Sequence, residues 1–264
     1  MDRFCANESD YHQRVINHME GFPDILKSDN GLHVFVWGHE VDLHDAGRRG
    51  GDGSADLITT DEKGMVWLIE AKFSQPSERG DFVWGNQLLR YKQAIQCMEW
   101  QDILAYAKNF LRWNEKIKPC FEIPSSVETF THVLEMWQAR IGRAQCDPNT
   151  LNSKIASHLK SGTYGVMVLT DINDSSYEHC GKGFLHDGPL AYVLGTPVDT
   201  GMSYHVKWYR RANARGEMEM VSTNWPTSFE RPQERTCTPK ALSEGLCDGS
   251  IQLWLNILQP GLIQ

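Results

Sequence analysis

No hydrophobic run in the chain approaches the roughly 18 residues of a membrane span, and Met1 to Asp10 lack the basic-then-apolar layout of a secretion signal. The expectation is a soluble, cytoplasmic protein without a membrane partner. The seven cysteines, Cys5, Cys97, Cys120, Cys146, Cys180, Cys237 and Cys247, are odd in number and never form the close pairs that ligate zinc or frame a redox motif. They read as reduced, mostly buried thiols. A surplus of basic residues is missing too: the formal net charge of −8 argues against a protein that coats nucleic acid indiscriminately, since such binding draws on basic surface. An enzyme acting on nucleic acid stays open, because a carboxylate-rich site adds acidic residues and bound magnesium reverses the local sign. The ten histidines include no His-x-x-x-His pair, so His39, His44 and His179 read as structural or exposed and no zinc is inferred. Gly50-Gly51-Asp52-Gly53 lacks the lysine and hydroxyl residue of a phosphate-cradling loop, and no dinucleotide fingerprint follows a strand.

What is present suits one large domain, or a domain with an insertion: 264 residues, 41% hydrophobic and 23% charged. Tyr11, Val15, Ile16 and Met19 recur at helical spacing behind a Ser9 N-cap, and Gly21 and Pro23 end that helix. Leu32 to Trp37 reads as a strand, and Gly47 to Gly53 as a loop carrying Arg48 and Arg49, two residues suited to gripping phosphate. Ala55 to Thr60 and Met65 to Lys72 form a predicted hairpin around Asp61-Glu62-Lys63-Gly64, with glycine where a positive φ is wanted.

Past a polar stretch, Gln75 to Asp81, helical periodicity returns with Leu88, Leu89, Tyr91, Ile95, Met98, Ile103 and Leu104. Further helical patterns at Val127 to Ala144 and Leu151 to Lys160 are separated by breaks at Pro119, Pro124 and Pro148. Strand character resumes at Gly165 to Thr170, Leu190 to Gly195 and Ser203 to Arg210, before a helix-like stretch from Ala241 to Leu258. This order predicts an α/β fold with a mixed sheet flanked by helices. The division is a core over 1–98, a helical insertion over 99–163, and strands with a final helix over 164–264 completing the same domain.

The chemistry concentrates in Ala55-Asp56-Leu57-Ile58 and Val66-Trp67-Leu68-Ile69-Glu70-Ala71-Lys72. Strand alternation puts Glu70 and Lys72 on one face, and antiparallel pairing about Lys63 brings Asp56 close to Glu70. Two carboxylates, with the Ala71 main-chain carbonyl, are the hard oxygen donors magnesium prefers, and a lysine beside them can polarise water or offset charge on phosphorus. An exposed salt-bridged pair on an edge strand is the plainer alternative. Apolar Val66, Leu68 and Ile58 around the charges weigh against it, because desolvating charge without a use is costly.

An acidic residue before one strand and Glu-x-Lys on the next resembles the PD-(D/E)xK nuclease superfamily, and Gln87-x-x-x-Tyr91 is similar to the extra motif of its RecB-type branch. Gln87 and Tyr91 stand one helical turn apart. The resemblance covers residues from about Glu8 to Tyr91, and Val36-Trp37-Gly38-His39-Glu40 looks like its lead-in. It implies a restriction-endonuclease-like fold and a magnesium-dependent nuclease, with manganese able to substitute. Asp56 and Glu70 would be the metal ligands, and Lys72, Gln87 and Tyr91 would complete the catalytic set. A further carboxylate from the first helix, Glu8 or Glu20, is left open.

DNA is the expected partner, with RNA also open, and a homodimer cutting both strands is compatible with this reading. Restriction, phage defence and repair all use such sites. Lys207, Arg210, Arg211 and Arg215, interleaved with Trp208 and Tyr209, offer a second nucleic-acid contact. The rival class is a non-catalytic nucleic-acid or partner-binding protein on a nuclease-like scaffold.

Overall fold

The computed structural model describes residues 5–21, 33–43, 54–74, 79–97, 105, 107, 124, 126–142, 144, 146–198, 201–212 and 218–221. Helix α1 (Glu8–Gly21) buries Tyr11, Val15, Ile16 and Met19, the stripe its periodicity predicts. Its cap is Asn7 and not Ser9: Asn7 Oδ1 accepts the Asp10 N–H at 2.9 Å, and Asp10 Oδ2 reaches back to the Ala6 N–H at 3.0 Å. This reciprocal pair satisfies two backbone donors at the helix start, which Ser9, already inside the first turn, is not placed to do.

Among the described residues seven strands form one sheet in chain order: β1 (Val34–Asp42), β2 (Ser54–Asp61), β3 (Val66–Lys72), β4 (Gly165–Thr170), β5 (Leu190–Val198), β6 (Gly201–Ala212) and β7 (Met218–Val221). β1 to β3 are antiparallel, β3 to β5 parallel, and β5 to β7 antiparallel again, so the sheet is mixed. Each parallel step requires a crossover, which is why helices lie between β3 and β4 and between β4 and β5. The first is long: α2 (Gly80–Phe82), a π-helical turn (Val83–Gln87), α3 (Leu88–Cys97), α4 (Phe130–Ile141) and α5 (Pro148–Ser161). The second is α6 (Ser175–Gly183), a helix with no expectation from sequence. No helix among the described residues is long and apolar enough to cross a membrane.

β1 begins and ends later than the predicted Leu32 to Trp37, and a bulge between Val36 and Gly38 carries the chain on through His39 and Glu40. Pro148 marks the separation of α4 from α5, as expected, and opens the second at the first position, where a missing N–H costs nothing, behind an Asp147 cap. Thr129 caps α4, and Gly142 and Gly162 end α4 and α5 with φ near 71° and 72°.

β3 is buried along its whole length, between β2 and β4, and accounts for a core that includes Leu68, Ile69 and Ala71. Leu89, by contrast, is exposed despite its place in the apolar pattern of α3. The thiols of Cys5, Cys146 and Cys180 are free. Expectations for Arg48, Arg49, His44, Arg215 and the Ala241–Leu258 stretch fall outside the described residues. Of the second basic cluster, Lys207 is half-buried on β6; Arg210 and Arg211 lie on the same strand.

Candidate active site

The hairpin sets the geometry. Leu57 pairs with Ile69 and Thr60 with Val66, a register centred on Lys63, so continuing it places Asp56 opposite Glu70. The turn is pinned by Asp61, whose Oδ1 accepts the Lys63 and Met65 N–H groups at 2.8 and 3.0 Å, with Gly64 at φ 91°. A one-residue slip would send Glu70 and Lys72 to the other face.

Asp56, Glu70 and Lys72 are brought together. Lys72 Nζ lies 2.8 Å from Glu70 Oε1, with 8% and 1% of the two side chains exposed, so this is a buried ion pair and not a solvated one. Asp56, half-buried, accepts the Ala71 N–H on Oδ2 at 2.7 Å. Glu70 Oε2 is buried and makes no hydrogen bond. Burial pushes Asp56 up to about 7; Lys72 and the Ala71 N–H oppose this, while Glu8 and Glu40 add to it. Burial, then the Asp56 charge, push Glu70 up to about 8, against the pull of Lys72 and Tyr91. Two carboxylates that resist ionising together, beside one ammonium, leave room for additional positive charge.

Tyr91 joins this group. Its ring is buried on α3, its hydroxyl donates to the Ser54 carbonyl at 2.6 Å, and it also favours ionised Glu70. Gln87 ends the π-helical turn one step before; its Oε1 is buried and bonded to nothing, and it is not joined to the other four residues.

Three residues with no site role in the sequence reading lie on α1 and β1, the elements beside the hairpin. His12, on the inner side of α1, is buried with its Nδ1 3.2 Å from His39 Nε2; its own Nε2 is buried without a hydrogen-bond partner. His39, expected to be structural or exposed, is buried against a second imidazole, with Glu40 Oε1 4.0 Å from its Nε2. Glu40 sits on β1 between the pairs His39–Leu57 and Val41–Ala55, at the register position of Asp56, with φ 45°. Glu8 is exposed at the start of α1, and the side chain of Glu20 lies outside the described residues. Helical spacing places His12 on the inner stripe with Tyr11, Val15, Ile16 and Met19, a signal available from sequence but weak without its partner.

Among the described residues no three His, Cys, Asp or Glu side chains stand close enough together to hold a metal ion alone. Magnesium does not demand three: it accepts one or two carboxylates and keeps several waters. The unbonded Glu70 Oε2 next to Asp56 is an oxygen donor set of that kind. Compared with known proteins, the chain matches no family model, no curated protein and no solved structure.

Proposed function

We propose that the protein is a magnesium-dependent nuclease that hydrolyses phosphodiester bonds in DNA, on a restriction-endonuclease-like version of the mixed α/β fold. The observation that carries this reading is the buried Glu70–Lys72 pair at 2.8 Å with Asp56 tied to the residue between them. Burying a carboxylate and an ammonium beside a second, half-buried carboxylate is expensive and adds little to stability, so their presence points to use.

Asp56 and Glu70 would hold the cation through Glu70 Oε2 and the Asp56 carboxylate. The cation supplies Lewis acidity, offsetting charge on the phosphate and making a water easier to deprotonate. Lys72 carries the positive charge that meets the phosphate oxygens as attack builds negative charge on them. Tyr91 holds β2 at Ser54, two residues before Asp56, and so keeps the two strands in register at the site. Gln87, whose role comes from the family resemblance alone, has a buried oxygen without a hydrogen bond that would accept one from substrate or water.

Incubating the purified chain with linear, circular and single-stranded DNA, with magnesium and with chelator, tests this directly. Cleavage in magnesium that disappears in chelator and in Glu70→Gln is expected. Equal cleavage by wild type and Glu70→Gln would remove the assignment. An RNA substrate in the same assay decides the sugar preference, since these residues read phosphate.

A further inference from the structure

Lys72 is the last residue of β3, and the chain turns away directly behind it. It pairs with Thr170 in the final step of the β3–β4 ladder. Phe73 and Ser74 follow, and Ser74 stands at φ 51°, in the left-handed region that a residue with a Cβ enters only at a cost. Its amide is held there. The Ser74 N–H donates to Asp171 Oδ1 at 2.8 Å, and Asp171 is the half-buried residue that follows Thr170. A side chain thus takes over where the backbone ladder between the two strands stops.

Asp171 is itself on a fixed turn. The Ile172 N–H donates to Thr170 Oγ1 at 3.1 Å, and the Tyr192 hydroxyl of β5 shares its proton between the carbonyls of Ile172 and Asp174, at 3.1 and 3.2 Å. Phe73 has its own anchor: its ring stacks on Tyr11 of α1 at 5.1 Å between centroids, and the Tyr11 hydroxyl donates to the Gly195 carbonyl of β5 at 2.8 Å. Both residues behind Lys72 are therefore tied down, one by a ring and one by a carboxylate. The carboxylate acts on the backbone, at the residue whose dihedral is the unusual one.

The ion pair depends on that backbone. Glu70 and Lys72 stand two apart on one strand, so their side chains lie side by side only while the chain between them stays extended. In that arrangement Lys72 Nζ comes 2.8 Å from Glu70 Oε1. Lysine carries its charge on a flexible stem, and a strand end frays first, so the place of the ammonium is decided by what holds the main chain behind it. From this we propose that Asp171 is a positioning residue for Lys72: by holding the Ser74 amide it keeps the end of β3 extended and the ammonium beside Glu70. Its part in cleavage rests on the nuclease reading above.

The test uses the full chain, with steady-state cleavage of linear DNA in magnesium and nitrogen-15 spectra of the lysine ammonium groups. Asp171→Ala should lower kcat by roughly tenfold or more with little change in KM, and should move the Lys72 ammonium signal toward those of solvent-exposed lysines. Asp171→Asn, whose amide oxygen still accepts the Ser74 N–H, should restore both. Wild-type kcat in Asp171→Ala, an unmoved Lys72 signal, or an Asp171→Asn variant as impaired as Asp171→Ala overturns the proposal. Should Asp171→Ala not fold, hydrogen exchange in the wild type decides: a protected Ser74 amide supports the tie, and a freely exchanging one overturns it. The two levels separate cleanly. If wild type and Asp171→Ala cut alike, only the positioning role fails. If wild type cuts no DNA, the nuclease reading fails, and the Lys72 signal still decides whether Asp171 places the ammonium.

Discussion

Asp56 Oδ2 accepts the backbone N–H of Ala71 at 2.7 Å, so the carboxylate on β2 is fastened to the residue that separates Glu70 from Lys72. The bond gives Asp56 a structural task beside the metal-holding one proposed for it. Asp56→Asn keeps an oxygen that accepts this N–H, whereas Asp56→Ala leaves it unbonded at a cost of about 1–3 kcal/mol. Both variants should lose cleavage, but only Asp56→Ala should show a clearly lower urea midpoint.

Lys72→Met should abolish cleavage and, because the ammonium is buried against Glu70, should also destabilise the fold by on the order of 3 kcal/mol where Glu70 is ionised. The pattern in sequence alone suggests Glu70→Ala or Lys72→Ala variants with nearly unaltered thermal stability; burial on β3 argues otherwise. Glu70 can escape by binding a proton, so the Lys72→Met loss should be smaller at pH 6 than at pH 9. Equal melting-temperature losses at both pH values would contradict the burial argument.

Metal-free stability should fall as pH rises. The folded-state values of Asp56 and Glu70 lie above their ordinary values of 3.8 and 4.5, near 7 and 8, so between these limits the folded chain holds protons that the unfolded chain releases. Such protons stabilise the fold at low pH, and the stabilisation fades as pH climbs through the folded values. Magnesium should therefore raise the melting temperature more at pH 8.5 than at pH 5.5. Scanning calorimetry with magnesium and with chelator checks this, and an equal rise at both pH values would count against carboxylate binding.

Tyr91→Phe removes the hydroxyl that satisfies the Ser54 carbonyl and faces Glu70. A stability loss of about 1 kcal/mol is expected, with the larger effect on turnover and little on substrate affinity. A variant with wild-type turnover would confine Tyr91 to a packing role.

Gly165→Ala tests the join between β3 and β4. A Cβ there would come within 2.5 Å of the Trp67 ring, at the residue pair that starts the parallel ladder. Overpacking of this kind costs about 1–3 kcal/mol, read as a lower denaturant midpoint.

The hairpin and its carboxylates are legible in sequence because everything that positions them is local. Alternation, a four-residue turn and a glycine at positive φ are enough to bring Asp56 to Glu70. The mixed sheet is legible at the same level, from apolar runs separated by helical periodicity. The His12–His39 pair is not, since it joins residues 27 apart in sequence through a bulge that no residue pattern announces. The π-helical turn escapes for a similar reason: its residues fit an α-helix equally well, and the extra residue is accommodated by packing. Leu89 shows the converse, an apolar residue in phase with a buried stripe that tertiary context leaves outside.

β3 is hydrogen-bonded to neighbours on both sides and has no accessible stretch along its length. Strands so placed open only when the whole domain does. Heat or denaturant should thus extinguish the protein's chemistry and its architecture in a single step, and the amides of 68–70 should be among the slowest to trade protons for deuterium.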